Sequence, residues 1–192
     1  MPTPNPAALE FLLTRRSRPA RTLQAPAPDP EALQTLLTAA ARVPDHGKME
    51  PWRFIVMAAA ALGRVADAVE AEAPADGLEA EKVEKHAAGF RNAPLVVAVV
   101  FSPGPTERIP RVEQQLSAGA VCLGLVNAAL AAGWGANWLT GWSAHAPGFA
   151  QRHLGLAAHE EIAGFIHIGT ESSAPPDRPR PDIAALTSWL NE

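Results

Sequence analysis

Apolar residues recur at helical spacing in six segments, which prolines and glycines separate. The clearest start is Asp29, an N-cap residue followed by Pro30 in the first helical position. One apolar stripe then runs toward Pro44, which ends the helix. Its members are Leu33, Leu36, Leu37, Ala40 and Ala41. The other predicted helices are Ala7–Thr14, Ala59–Glu72, Leu78–Phe90, about Arg111–Ala132 and Pro147–His153.

Four shorter apolar runs predict strands: Arg53–Ala58, Pro94–Phe101, Trp134–Leu139 and Ile162–Ile168. The first is expected to be buried, and the second, which is apolar throughout, is expected at the centre of a sheet. Helices and strands alternate, which predicts an α/β or α+β fold with the sheet between helices. Outside these elements, residues 19–28 are predicted to be irregular. Residues 174–181 should form an extended arm, followed by an amphipathic stretch to Leu190.

The long helix is apolar nearly all round from Ala118 onward, so we expect it in the core or in a subunit interface. Gly133 stands where a C-terminal cap glycine belongs. The apolar run Ala118–Ala132 is shorter than the roughly 20 residues that span a bilayer, and Met1–Pro6 lacks the features of a signal peptide. These features predict a soluble protein without a membrane partner.

Composition narrows the function classes. At 192 residues, 47% of them apolar, the chain is predicted to be one domain, residues 1–192. The formal net charge of −4 argues against a nucleic-acid partner, because such proteins normally carry a basic face. The single cysteine, Cys122, excludes an internal disulfide and fits a cytoplasmic location.

Two polar segments are candidates for ligand binding. Arg15-Arg16-Ser17 follows an apolar helix and offers donors that suit a phosphate monoester, although a solvated basic helix end would have the same sequence. The second segment, Arg42–Trp52, packs Arg, Asp, His and Lys between two prolines before a strand. We interpret it as one wall of a ligand site.

Several familiar motifs are missing. The phosphate-loop pattern is absent, and Gly133-Trp134-Gly135 enters a strand instead of leaving one, so a Rossmann site is not supported. Ser143 and His145 resemble half of a nucleophile elbow, which makes a hydrolase a weak hypothesis. The six histidines show no metal-binding spacing, and no metal site is predicted.

Four motifs, in order along the chain, resemble those of the flavin-dependent nitroreductase family, particularly its short single-domain branch. They are R-R-S at Arg15–Ser17, R-V-P-D-H-G-K-M-E-P-W at Arg42–Trp52, P-R-V-E-Q-Q-L-S-A-G-A at Pro110–Ala120, and G-W-G-A-N-W-L-T-G at Gly133–Gly141. The resemblance spans nearly the whole chain. It implies an α+β sandwich in which helices flank a central, mostly antiparallel sheet, with one long central helix.

The resemblance also implies FMN bound in a homodimer interface. It assigns the phosphate and ribityl chain to Arg15, Arg16 and Ser17. The isoalloxazine would lie along Trp138, Leu139, Thr140 and Gly141. Arg178 and Arg180 match a late basic pair that contacts the phosphate in some members of the family. Residues two apart share a side only in a strand, so we favour Arg180 and hold Arg178 in reserve.

In the family, residues at the positions of Arg42 and His46 come from the other subunit and complete the pocket. Glu50 departs from the glutamine usual before Pro-Trp, and its charge is predicted to lower the flavin potential or exclude anionic substrates. A Glu50→Gln variant with unchanged potential and substrate range would remove that hypothesis.

The implied function is an FMN-dependent oxidoreductase that uses NADH or NADPH to reduce a small-molecule acceptor, such as a nitroaromatic or quinone, by a ping-pong mechanism. No catalytic side chain is predicted, because the cofactor supplies the chemistry. The alternatives are a flavin-binding or storage protein without turnover, a non-flavin interaction domain, and a flavin-dependent dehydrogenase or dehalogenase.

Overall fold

The computed structural model describes residues 3–190 and arranges them as an antiparallel sheet between two layers of helices. Within this part of the chain, seven helices and five strands are, in order, α1 (Pro6–Thr14), β1 (Leu23–Gln24), α2 (Pro30–Ala40), β2 (Trp52–Ala58), α3 (Ala59–Glu72), α4 (Ala80–Arg91), β3 (Leu95–Phe101), α5 (Arg111–Ala131), β4 (Gly135–Leu139), α6 (Trp142–His145), α7 (Phe149–Leu154) and β5 (Glu161–Glu171). The predicted α+β sandwich is confirmed. The predicted domain also includes residues 1, 2, 191 and 192, which lie outside the described residues.

The helix ends follow the capping signals in the sequence. Asp29 accepts a hydrogen bond from the backbone N–H of Ala32, 2.8 Å away, and so caps α2. Helix α5 ends one residue before the predicted boundary, and Gly133 follows it with a left-handed φ of 86°. Only glycine adopts that conformation without strain, which lets the chain turn directly into β4.

Every strand pair is antiparallel: β2 with β3, β3 with β5, and β5 with both β1 and β4. All seven residues of β3 are buried, which confirms its central position. The prediction that Arg53–Ala58 is buried is wrong. This segment lies in β2, an edge strand in which only Met57 is buried, because the sheet ends there and the helices cover β2 only in part.

Successive residues of β3 alternate between two cores. Residues 96, 98 and 100 pack with α3, α4 and Phe149, while residues 95, 97 and 99 pack with α2 and α5. The sheet is therefore covered on both faces, and β3 and β5 form its middle. The same alternation places His167 of β5 on the α4 side of the sheet, on the same face as Phe165, which lies two residues earlier.

Two segments differ from the predictions. Residues 19–28, predicted to be irregular, contain the short strand β1, which pairs with the end of β5. The turn after β4 contains the four-residue helix α6, which had no periodic signal. Residues 174–181 form neither helix nor strand, as an extended arm would, and the following stretch contains a turn at residues 183–186.

Helix α5 packs against α2 and the sheet, with Val121, Cys122 and Leu125 fully buried. Its 21 residues and mean hydropathy would also suffice for a membrane span, a criterion that the core helices of globular proteins often meet. Of its most apolar stretch, 44% is buried inside the fold.

Candidate active site

The basic segment after α1 is half-buried, unlike a solvated helix end. One terminal nitrogen of Arg15 donates to Oγ of Ser17 at 2.9 Å, and one of Arg16 donates to the Ser17 carbonyl at 3.2 Å. The Nε atoms of both arginines are buried without a hydrogen-bond partner, and both side chains line a pocket of about 290 Å³. Buried donors without acceptors are costly, so this arrangement is suited to an anion.

The positive charge of Arg180 acts on this segment. The pKa of Arg15 is lowered, first by burial and then by the positive charges of Arg180 and Arg16. Arg180 also donates to Asp177 at 3.1 Å, whereas Arg178 contacts Asp177 through its backbone N–H. Arg180 is thus the member of the predicted pair whose charge affects Arg15, although it does not line the pocket of Arg15 and Arg16. We call Arg15, Arg16, Ser17 and Arg180 the basic cluster.

Backbone contacts anchor the basic cluster to β4. The N–H of Arg18 donates to the Ala136 carbonyl, and the Asn137 side chain donates to the Arg18 carbonyl, both at 2.8 Å. Arg18 also forms an ion pair with Glu171 at 3.4 Å. The cluster is thus fixed at the start of the strand that leads to the second predicted site.

That strand ends at a pocket of about 510 Å³ between α4 and the β4–α6 turn, which we call the α4 pocket. Leu139, Thr140 and Gly141 line it, as three of the four residues predicted along the isoalloxazine. The fourth, Trp138, lies over Gly164, with its Nε1 donating to the Ala163 carbonyl at 3.3 Å. Trp138 is still 38% exposed, so its ring remains accessible from outside.

The walls of the α4 pocket are mainly apolar. Leu78, Phe90 and Trp142 contribute to them, and the exposed Lys82 and Lys85 also belong to its lining. A planar aromatic ligand fits such walls, because they bury its faces while the lysines favour negative charge near the opening. The α4 side of the pocket was missed, since α4 was predicted to be a polar surface helix.

Two histidines line this pocket that no sequence motif had marked as site residues. Nε2 of His86 lies 2.9 Å from Oγ of Ser143, and the backbone N–H of Ser143 also donates to it at 3.3 Å. His167 is 3% exposed, and its Nδ1 is buried without a partner. The available signal was a histidine inside the otherwise apolar run Ile162–Ile168.

Ser143 does not serve as the nucleophile of the weak hydrolase hypothesis. It is fully buried and pairs with His86, so a substrate cannot reach its hydroxyl. Within residues 3–190, no three His, Cys, Asp or Glu side chains are arranged to hold a metal ion.

The loop Arg42–Trp52 lies on the first turns of α5. Nδ1 of His46 contacts Glu113 at 2.6 Å, and Ser117 donates to the Pro44 carbonyl at 2.9 Å. Arg42 and His46 are exposed and do not line the basic-cluster pocket or the α4 pocket of their own chain. The exposed Glu50 does not line these pockets either. The roles predicted for these three residues stay predictions.

Three groups of large apolar side chains are exposed. They are Leu9, Leu12 and Leu13 of α1, Val112, Leu116 and Leu123 of α5, and Ile183, Leu186, Trp189 and Leu190 near the C-terminal end of the described residues. The α5 residues recur at helical spacing and form one face. Apolar surface on this scale commonly marks a protein–protein contact.

A comparison with known families identifies this architecture. The Nitroreductase family model matches residues 12–170, from α1 to the end of β5, and so includes the basic cluster except for Arg180. The chain belongs to the nitroreductase family.

Individual nitroreductases extend this likeness. The chain is 36% identical over 163 residues to the Escherichia coli K12 protein named "Putative NAD(P)H nitroreductase YdjA", covering 85% of this chain and 87% of that one. A nitroreductase-like protein from Bacillus cereus has a TM-score of 0.81 and 25% identity over both full lengths. A mutant of NfnB, an FMN- and NADPH-dependent nitroreductase from Sphigopyxis sp. strain HMH, matches the fold with a TM-score of 0.78 at 20% identity, covering 96% of this chain and 99% of that one.

Proposed function

We propose that the protein is an FMN-dependent oxidoreductase that takes electrons from NADH or NADPH and passes them to a nitroaromatic, quinone or similar acceptor in a ping-pong cycle. The observation that carries the proposal is the pair of buried Nε donors of Arg15 and Arg16, which lack a partner within the protein. FMN, when bound, supplies the hydride-transfer chemistry, and the side chains bind and orient it.

The residues present fit FMN. The basic cluster offers guanidinium forks and a hydroxyl to a phosphate that carries about two negative charges, a strong pairing in an otherwise acidic protein. Leu139, Thr140 and Gly141 would hold the ring in the α4 pocket, and Trp138 would lie at its edge. The apolar walls would exclude water from the reacting face.

The cofactor assignment is tested by titrating FMN into the flavin-free protein and following flavin fluorescence. Arg15→Ala should weaken FMN binding roughly tenfold to hundredfold, because a hydrogen bond to a charged group is worth about 1.5–3 kcal/mol. The matched control is Arg21→Ala, an exposed arginine six residues away in sequence, which should bind FMN like the wild type. Equal affinities for all three proteins would contradict the assignment.

Turnover is tested separately from binding. Anaerobic NADH or NADPH should bleach the protein-bound flavin rapidly, and addition of a nitroaromatic or quinone should restore its colour. A protein that binds FMN tightly but is bleached slowly by both nucleotides would instead be a flavin-binding or storage protein.

We also infer that two copies form a homodimer with FMN at the interface, and that Arg42 and His46 complete the pocket of the partner copy. The exposed apolar faces of α1 and α5 support the association, and the positions of Arg42 and His46 outside their own chain's pockets support the exchange.

Mixed dimers test this exchange. Arg15→Ala and Arg42→Ala variants should each bind FMN weakly when alone. If Arg42 acts across the interface, their mixed dimer holds one site with both substitutions and one intact site, so tight binding returns at half of the sites. If Arg42 acts within its own chain, each site carries one substitution and no tight site returns.

A further inference from the structure

The contact between His86 and Ser143 fixes which ring nitrogen of His86 carries the proton. A backbone N–H can only donate, and that of Ser143 points at Nε2 of His86 from 3.3 Å. Nε2 therefore accepts, which also makes Oγ of Ser143 a donor to the same nitrogen at 2.9 Å. A neutral imidazole with an accepting Nε2 carries its hydrogen on Nδ1.

Nδ1 of His86 lies beside Gly141, a residue that also lines the α4 pocket. The ring lines this pocket, and Nδ1 makes no hydrogen bond within the described residues although it is not sealed from solvent. It lies beside the β4–α6 turn, because a Cβ atom at Gly141 would come within 3.0 Å of it. An unused N–H donor therefore stands next to the backbone of Thr140 and Gly141.

The surrounding side chains hold the ring in place and keep it uncharged. Phe90 packs edge-on against His86, with ring centroids 5.6 Å apart, and Ser143 is fully buried. Burial lowers the pKa of His86. Burial, and then the positive charge that His86 could carry, lower the pKa of His167 to about 4. The interior of the pocket thus contains two neutral imidazoles, and its lysines are exposed side chains.

We propose that His86 is a further cofactor-contacting residue, which donates its Nδ1–H to a carbonyl oxygen of the flavin pyrimidine ring. The inference rests on the proposed function and adds to it a residue of α4, a helix outside the motifs that assign the flavin site. The backbone N–H of Ser143 sets the tautomer of His86 and acts on the flavin only through that ring.

The donor should bind reduced flavin more strongly than oxidised flavin. Reduction places additional electron density on the pyrimidine ring, and hydrogen bonds to charged acceptors are stronger than those between neutral groups. His86→Phe should weaken the binding of oxidised FMN about threefold to tenfold and that of reduced FMN about tenfold more. That additional factor of ten corresponds to a fall of about 30 mV in the midpoint potential of a two-electron couple.

Two variants separate this role from a structural one. His86→Gln keeps an N–H donor and should recover most of the potential. The matched control His159→Phe replaces an exposed histidine before β5 and should have no effect.

The variants are compared by FMN affinity and by the potential of the bound flavin. A wild type that takes up no FMN refutes the proposed function itself, and the role of His86 with it. Wild-type FMN binding together with an unchanged potential in His86→Phe refutes the role of His86 alone. A lower potential in His86→Phe that His86→Gln largely restores supports it.

A measurement on the unaltered protein covers the case in which His86→Phe does not fold. Nitrogen-15 NMR of the histidine rings distinguishes the two neutral tautomers. His86 should have its hydrogen on Nδ1 in the flavin-free protein, and its Nδ1 signal should shift when FMN binds. An Nε2–H tautomer, or an Nδ1 signal that FMN leaves unchanged, would overturn the proposal.

Discussion

Replacement of Glu160 by glutamine should cost the protein about 3 kcal/mol at neutral pH and much less in acid. Arg53 of the edge strand β2 donates two hydrogen bonds of 2.7 Å to this carboxylate, and the Ala157 N–H donates a third at 2.8 Å. Glu160 is only 5% exposed, so water does not replace these partners. The pair joins the edge of the sheet to the residue that precedes β5.

The magnitude follows from the pKa of Glu160. The bonds from Arg53, and then those from Ala157 and Ser102, outweigh the opposing effect of burial and lower this pKa from 4.5 to about 2. At about 1.4 kcal/mol for each unit of pKa, the difference corresponds to about 3 kcal/mol of stability. Because the folded-state pKa is the lower one, this stability is complete above pH 4.5 and is lost as the pH falls toward 2. About 1 kcal/mol should remain at pH 3.

Urea unfolding at pH 7 and pH 3, followed by tryptophan fluorescence at a fixed FMN concentration, measures the effect. Glutamine approximates a permanently protonated Glu160, so the stability gap between wild type and Glu160→Gln should shrink from about 3 kcal/mol at pH 7 to about 1 kcal/mol at pH 3. The control is Glu161→Gln, whose ion pair with Arg111 is exposed and worth at most about 1 kcal/mol. A gap that is the same at both pH values, or absent at pH 7, would refute the reasoning.

Three further predictions concern residues of α5, and the first has a control in α3. Gly124→Ala should destabilise the fold by about 1–3 kcal/mol, because its Cβ would lie 2.9 Å from the Ala40 carbonyl oxygen, whereas Gly63→Ala, with open space around it, should stabilise by about 0.5–1 kcal/mol in the same urea assay. Burial raises the pKa of Cys122 to about 12, so a thiol reagent at pH 8 should label it only after unfolding; rapid labelling of the native protein would contradict this. Leu116→Glu, at a side chain 69% exposed, should give a folded monomer by light scattering, and a persisting dimer would place the interface elsewhere.

Local sequence patterns predicted where the helices and strands lie better than they predicted which strands are neighbours in the sheet. Asp29, Pro30 and an apolar stripe are enough to begin and orient α2, and the run in β3 is too apolar for any position but the centre. The run in β2 looked similar, yet it lies at an edge. Sheet order depends on pairings between distant segments, such as β3 with β5, and an isolated apolar run does not encode them.

The candidate site shows the same difference between local and distant information. Arg15, Arg16 and Ser17 are adjacent in sequence, so a shared role in binding a phosphate could be proposed before the fold was known. His86 and Ser143 are 57 residues apart and meet only because α4 packs beside the β4–α6 turn. Arg180 was proposed from the resemblance to the family. The effect of its charge on the pKa of Arg15 could be seen only in the folded chain.

The loop Arg42–Trp52 has one more consequence, for the thermodynamics of association. The Asp45 carboxylate accepts the N–H groups of Met49 at 3.1 Å and Glu50 at 2.8 Å, and these bonds hold Lys48 and Glu50 at positive φ, which L-residues seldom adopt. The loop therefore loses its conformational entropy when the monomer folds. In the proposed homodimer, Arg42 and His46 would be presented on a preorganised surface, so a larger share of the contact energy would remain as affinity between subunits.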